Sequence, residues 1–243
     1  MMDEPVLNAH IERKKSSFVS VIFMQLSLLF TVALIASNIF ETKQISLGLF
    51  NITGGLLIFP VCYIINDCVC EVWGYKRATL LIWMGFLLNF LFIGVAAICD
   101  LLPGADYWTN QEGFHAIFGL SARITVASCL AFLAGSFINS MVLSRMKVRS
   151  EGKRLGGRLI VSSIAGEVAD SIIFFPIAFL GVLSGKELID QMLMQFILKT
   201  LYEIIFLPVT IRVIRGLKKM EGEDVYDRDI SYGIFDVFKR ERV

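Results

Sequence analysis

The sequence predicts an all-α polytopic membrane protein with six transmembrane helices and both termini in the cytoplasm. Three observations lead there. The chain has 243 residues, 56% of them hydrophobic, and its mean hydropathy of +0.68 lies far outside the range of soluble domains. Six apolar windows, about 18–39, 53–73, 78–99, 120–143, 159–183 and 188–212, each supply the roughly 20 residues that a crossing requires. Basic residues gather in alternate segments. The N-terminal tail holds Arg13, Lys14 and Lys15, and the second loop holds Lys76 and Arg77. The fourth loop holds Arg145, Lys147, Arg149, Lys153, Arg154 and Arg158, and the C-terminal tail opens on Arg212, Arg215, Lys218 and Lys219. The other three loops share only Lys43 and Lys186. The positive-inside rule then puts both termini in the cytoplasm, which an even number of spans satisfies. Three regions follow: a cytoplasmic tail over 1–17, a six-helix transmembrane domain over 18–212 and a cytoplasmic tail over 213–243.

The first window lacks a small-residue cleavage site and is too long for a signal peptide, so it reads as a retained helix. Ala33 and Ser37 in it form a small-xxx-small pair that admits close helix approach. An outer loop is expected over 40–52. Gly54, Gly55 and Pro60 interrupt the second window, and Asn89 lies in the third. The segment 100–118 carries Asp106 and Glu112 but no Lys or Arg, as an outer loop should. Arg123 opens the fourth window, where it can snorkel to the outer interface. Pro176 and Pro208 fall in the fifth and sixth windows. No inverted three-plus-three repeat is apparent, because Pro60 precedes Asp67 whereas Asp170 precedes Pro176. The five cysteines lie in or beside apolar windows without metal-type spacing and read as small packing residues, with neither metal nor disulfide expected.

Function is indicated by charges where charges are costly. Asp67, Glu71, Arg123, Glu167, Asp170, Lys199 and Glu203 all fall within the apolar windows. Each costs roughly 2.5–3.5 kcal/mol at bilayer depth, so such groups turn toward a protein interior or a polar cavity. Helical spacing sorts them into stripes. Tyr63, Asp67 and Glu71 share one face, Ser163, Glu167 and Asp170 a second, and Gln195, Lys199, Tyr202 and Glu203 a third. At about 1.5 Å of rise per residue the stripes lie at similar depth. They read as a converging polar site, or as ion pairs that only hold the bundle together, with a local Lys199–Glu203 pair the strongest case for the latter. Carboxylates outnumber Lys199, so the site calls for protons or for a ligand rich in N–H groups. A guanine-like ring is one such ligand, and Phe59, Tyr63, Phe174, Phe175 and Tyr202 are placed to stack on it.

The segment Phe59-Pro60-Val61-Cys62-Tyr63-Ile64-Ile65-Asn66-Asp67, followed by Glu71, Gly74, Tyr75, Lys76, Arg77 and Ala78, resembles the signature of the queuosine-precursor transporter family, also called the vitamin-uptake transporter family. Two further stretches resemble it: Ser162-Ser163 through Asp170 to Phe174, and Lys199-Thr200-Leu201-Tyr202-Glu203 to Pro208, then Leu217-Lys218 and Glu221 to Asp227. The chain departs from the pattern at Cys70, where Thr is usual, and at Trp73, where Tyr is usual.

The resemblance implies six spans, a fold similar to the substrate-binding components of energy-coupling-factor vitamin transporters, and import of 7-cyano-7-deazaguanine, 7-aminomethyl-7-deazaguanine or queuine through the inner membrane. Under that implication Asp67 and Asp170 accept hydrogen bonds from the pyrimidine edge. Glu167 and Glu203 meet the remaining donors or an aminomethyl cation, and Lys199 balances charge or donates to the ring carbonyl. Asn66, Asn89 and Tyr63 orient the base, with Glu71 and Tyr202 alongside. The expected partners are the small-molecule substrate and the lipid bilayer. No nucleic acid, catalytic residue, cofactor or metal is expected, and self-association is left open. The alternative is the binding subunit of an ATP-driven importer, whose ATPase would be a separate chain, since no phosphate-loop motif is present. An intramembrane enzyme is disfavoured, because the two histidines, His10 and His115, lie outside the windows.

Overall fold

The computed structural model describes residues 20–40, 42–46, 51–119, 122–181 and 184–236. Seven α-helices occur among them: α1 (Val21–Phe40), α2 (Phe59–Trp73), α3 (Tyr75–Leu101), α4 (Gln111–Phe118), α5 (Ala122–Arg149), α6 (Leu155–Phe179) and α7 (Gly185–Glu221). Five spans are long and apolar enough to cross a membrane: α1, the segment Gly54–Trp73 that contains α2, α3, Val126–Arg149 of α5, and α6. The sixth window lies inside α7, a 37-residue helix with Lys199 and Glu203 near its middle. The side chain of Arg123 and the N-terminal Arg13, Lys14 and Lys15 lie outside the described residues.

Local chemistry sets the helix ends. Ser20 Oγ accepts from the Ile22 and Phe23 amides at 3.1 and 3.3 Å and so caps α1. Ser184 and Glu187 form a reciprocal capping box at the start of α7, and Gly222 ends that helix in the left-handed conformation. Pro60 sits in the first turn of α2, where its missing N–H costs nothing, so the second window is not a broken helix. A short 3-10 turn, Gly54–Leu57, precedes it. The expected outer loop contains two three-residue strands, Gln44–Ser46 and Asn51–Thr53, paired antiparallel with Ile45 opposite Ile52.

Several helices run past the windows. α5 continues to Arg149 and α6 begins at Leu155, so the basic loop is far shorter than hydropathy implies. Helical hydrogen bonding carries on into the interfacial layer after apolar composition has stopped. The segment over 100–118 likewise contains the short helix α4.

α2 is the hub, packing on α1, α3, α5 and α7, while α5 and α6 form the most intimate pair. Phe30, Val69, Ile82 and Phe132 fill the core around α2. Lipid is as apolar as these side chains, so packing and polar contacts hold the helices together rather than water exclusion. Small residues bring the backbones close. Ser37 donates to the Gly55 carbonyl at 3.3 Å, as the small pair on α1 suggests. A Cβ on Gly135 of α5 would lie 2.9 Å from the Gly166 carbonyl of α6, so only glycine permits this crossing.

Residues 222–236 form a strap across the basic end of the bundle. Val225 N–H donates to the Val72 carbonyl at 3.0 Å. Asp227 accepts from the Tyr75 amide at 2.8 Å and from Ser144 at 2.6 Å. Tyr75 Oη donates to the Tyr232 carbonyl at 3.1 Å, and Trp83 Nε1 to that of Ile234 at 2.7 Å. The α2–α3 break turns at Gly74 (φ 85°), where a side chain would strain the backbone and meet Asp227 and Val225 at 2.8 Å.

Candidate functional site

Helical spacing turns the acids of α2, α6 and α7 inward, and the structure gathers most of them. Asp67 is 4% exposed, and its Oδ1 accepts from Asn139 Nδ2 of α5 at 2.6 Å. One residue earlier, Asn66 Nδ2 donates to Ser140 Oγ at 2.8 Å, so two successive rungs join α2 to α5. Asp170 Oδ2 accepts from Lys199 Nζ at 2.8 Å. Glu167 Oε2 accepts from Thr200 Oγ1 at 2.7 Å. Lys199 therefore reaches across to α6 for this pair rather than relying on Glu203 one turn away. Its ammonium also sits 4.6 Å from the Phe59 ring centroid, and that ring meets Tyr63 edge-on at 5.5 Å.

Glu203 completes the group. Ser163 lies within hydrogen-bonding reach of it, and Glu203 lies close to Asp67, Glu167 and Tyr63. Four carboxyl groups thus surround one lysine. Four buried polar atoms here have no hydrogen-bond partner: Tyr63 Oη, Asn66 Oδ1, Asn139 Oδ1 and Glu203 Oε1. A buried unpaired polar group costs about 1–3 kcal/mol, so orphans grouped in one place make this a candidate binding site.

Three anticipated residues stand apart. Glu71 lies one turn nearer the basic end, fully buried, among cations. Arg158 donates to it bidentately at 2.7 and 3.1 Å, Lys218 at 2.7 Å, and Lys147 Nζ approaches at 3.8 Å. Asn89 of α3 accepts from Asn38 of α1 at 2.9 Å, and Ser128 donates to Asn38 at 3.5 Å. Tyr202 is half-buried and stacks on Phe206, with ring centroids 4.4 Å apart.

Outside the spans, Asp224 accepts from Lys147 at 2.5 Å and from Lys218 at 2.9 Å. Burial opposes ionisation of Asp224, but these two bonds outweigh it and hold the carboxyl below its ordinary value. Burial likewise works against the Lys218 ammonium, and its bonds to Glu71 and Asp224 more than compensate, raising it above its ordinary value. Cys70, which stands where Thr is usual, donates to the Ser140 carbonyl at 3.3 Å.

Asn139, Thr200, Gly135 and Gly166 adjoin the acids, although of these the sequence marks only Thr200, within the resembling stretch after Lys199. The available signal was spacing. Gly135 precedes Asn139 by four residues and Gly166 precedes Asp170 by four, so each small residue shares a face with a polar one. A Cβ on Gly135 would lie 2.7 Å from Tyr63 Oη and 3.1 Å from Asp170 Cβ, which puts the glycine crossing against the acids.

Apolar spans closed around a buried polar cluster define the class, a multi-pass membrane protein. The chain belongs to the putative vitamin uptake transporter family, whose model matches residues 53–213. It is similar to the probable queuosine precursor transporter of Bacillus subtilis (strain 168), with 25% identity over 183 residues covering 72% of this chain and 77% of the relative. It is also similar to the queuosine precursor transporter of Escherichia coli (strain K12), with 25% identity over 187 residues, 74% of this chain and 80% of that one. The probable queuosine precursor transporter of Haemophilus influenzae (strain ATCC 51907 / DSM 11121 / KW20 / Rd) is 24% identical over 190 residues, 73% of this chain and 75% of the relative. No solved structure matches the chain. The protein is a multi-pass bacterial membrane protein.

Proposed function

We propose that this chain imports a queuosine precursor, 7-cyano-7-deazaguanine, 7-aminomethyl-7-deazaguanine or queuine, across the cytoplasmic membrane. In this reading α7 is the sixth span and both termini are cytoplasmic, as the basic residues direct. The names of the three relatives support the substrate class. One observation carries the reading: the unpartnered atoms comprise three acceptors, Asn66 Oδ1, Asn139 Oδ1 and Glu203 Oε1, and one hydroxyl, Tyr63 Oη. A 7-deazaguanine offers the complement, with ring and exocyclic N–H donors and a single carbonyl for the hydroxyl.

Asp67 and Asp170 take the pyrimidine edge, and Glu167 and Glu203 take the remaining donors or an aminomethyl cation. Lys199 balances their charge, and Asn66 and Tyr63 set the ring orientation. Entry of the base displaces existing partners, because Asp170 is bonded to Lys199 and Glu167 to Thr200. Glu71 acts at one remove, since Arg158 and Lys218 occupy both of its oxygens. Asn89 and Tyr202 act from the margin.

The test is uptake in a bacterium unable to make the precursors, supplied with each base in turn and read as queuosine in tRNA. At least one base restores the modification with the wild-type chain, and Asp67→Asn or Asp170→Asn abolishes it. Normal modification with both variants would refute the site.

A further inference from the structure

A concave region lies outside the acidic cluster, at the basic end of the bundle. Its volume is about 450 Å³, and Arg145 and Arg149 of α5 line it together with Arg228, Asp227, Asp229 and Tyr232 of the strap. Arg145 and Arg149 are four residues apart and so share one face of α5. All three arginines are exposed, and none has an ion-pair partner among the described residues. Asp227 turns its Oδ2 inward to the Tyr75 amide and Ser144, and Asp229 alone cannot balance three guanidinium groups. The α5 C-terminus adds only about half a negative charge, too little to cancel the excess. Arg145 is held in place, 4.7 Å from the Tyr232 ring centroid, and the Tyr232 hydroxyl bonds with Ser144 at 3.0 Å.

We propose that this concavity binds the phosphate group of an anionic ligand, and that the ligand is a phospholipid of the cytoplasmic leaflet. Guanidinium groups match phosphate in geometry as well as charge. The rest of the strap argues for lipid as the source. Beyond Tyr232 it runs along α3, and Phe235 packs on Trp83 at 5.2 Å. Phe235 nevertheless remains 58% exposed, and Ile234 37%. An apolar edge beside a tryptophan, next to a cluster of arginines, has the layering of a headgroup boundary, with acyl chains on one side and phosphates on the other. This site is independent of the transported substrate.

The experiment is thermal unfolding of the full chain in neutral detergent. The additives are phosphatidylglycerol, phosphatidylcholine or inorganic phosphate. The variants are Arg149→Gln alone and a triple variant, Arg145→Gln, Arg149→Gln and Arg228→Gln. Neutralising exposed arginines leaves the core untouched, so both should fold. Phosphatidylglycerol should raise the wild-type Tm by ~2–4 °C, a ligand-linked shift of ordinary size for this chain length. Phosphatidylcholine should raise it much less, and the difference between the two lipids should shrink in Arg149→Gln and vanish in the triple variant. Equal responses to both lipids, or a difference that survives the triple variant, would overturn the phosphate site. An arginine-dependent response to inorganic phosphate without one to phosphatidylglycerol would uphold the phosphate chemistry and overturn the lipid assignment.

Discussion

Lys199 and Asp170 meet at 2.8 Å across the α6–α7 interface, with only 12% and 9% of their side chains exposed. Glu203, one turn along from the lysine, keeps an oxygen with no hydrogen-bond partner among the described residues. The pair joins two helices and at the same time sets the charge balance of the acidic cluster.

Removing one partner of a shielded ion pair costs about 3–5 kcal/mol, because the other charge is left uncompensated, whereas neutralising both costs far less. Lys199→Met should therefore lower thermal stability sharply. Lys199→Met combined with Asp170→Asn should recover most of it without restoring uptake. Melting curves in detergent beside an uptake assay check both parts.

Asp67 and Glu71 lie one turn apart on α2 but should respond differently. Asp67→Asn keeps an acceptor for Asn139 and should spare stability while abolishing uptake. Glu71→Gln strands Arg158, which is 1% exposed, and should cost about 3–5 kcal/mol. Yield and Tm should fall for Glu71→Gln and hold for Asp67→Asn.

Gly166→Val places a Cβ 2.8 Å from the Gly135 carbonyl and 2.9 Å from Asn139 Cβ. Overpacking of this kind costs about 1–3 kcal/mol, and here it would also shift Asn139 away from Asp67. Gly94→Ala is the control, because nothing lies within 4 Å of the new methyl group. It should stabilise α3 by up to about 1 kcal/mol. Uptake should fall for Gly166→Val and hold for Gly94→Ala.

The strap should loosen at both extremes of pH. Asp224 is depressed in the folded chain, so its contribution is present above the ordinary Asp value near ~3.9 and is lost as pH falls through the lower native value. Lys218 is raised, so its contribution holds below the ordinary Lys value near ~10.4 and is lost as pH rises through the higher native value. Hydrogen exchange at 222–236 should stay slow between these limits and quicken beyond them, and Asp224→Asn should remove the acid-side transition.

Cys99 is exposed near the C-terminal end of α3, the outer end in the proposed orientation, whereas Cys62, Cys68, Cys70 and Cys129 are buried. A membrane-impermeant maleimide added to spheroplasts should label the wild-type chain once and a Cys99→Ser variant not at all. Labelling only after lysis would reverse the proposed orientation.

The acids were legible because ionised groups in apolar windows are rare: Asp67, Asp170, Glu167 and Glu203 stand out without any coordinates. Their uncharged partners were not. Asn139 and Thr200 sit among apolar residues as ordinary polar substitutions do, and only the fold shows which acid each one faces. Arg158 and Lys218 were hidden by a stronger signal, since basic residues at this edge are expected for topology alone. Their bonds to Glu71 depend on α6 and α7 ending beside α2. Helix ends were misjudged for a related reason, because hydropathy marks where hydrocarbon stops and backbone bonding continues through Lys147 and Arg149. The strap had no periodicity to reveal it, and its order comes from contacts made 152 residues away in sequence, as between Asp227 and Tyr75.

That last contact bears on how the protein is made. The turn joining the second and third helices is synthesised early, with the Tyr75 amide still lacking the carboxylate that will accept from it. Asp227 emerges from the ribosome only after four more long helices have been synthesised. Until then the nascent chain holds an unfinished corner that a chaperone or insertase must tolerate, and a premature stop ahead of position 224 would leave that corner open for good.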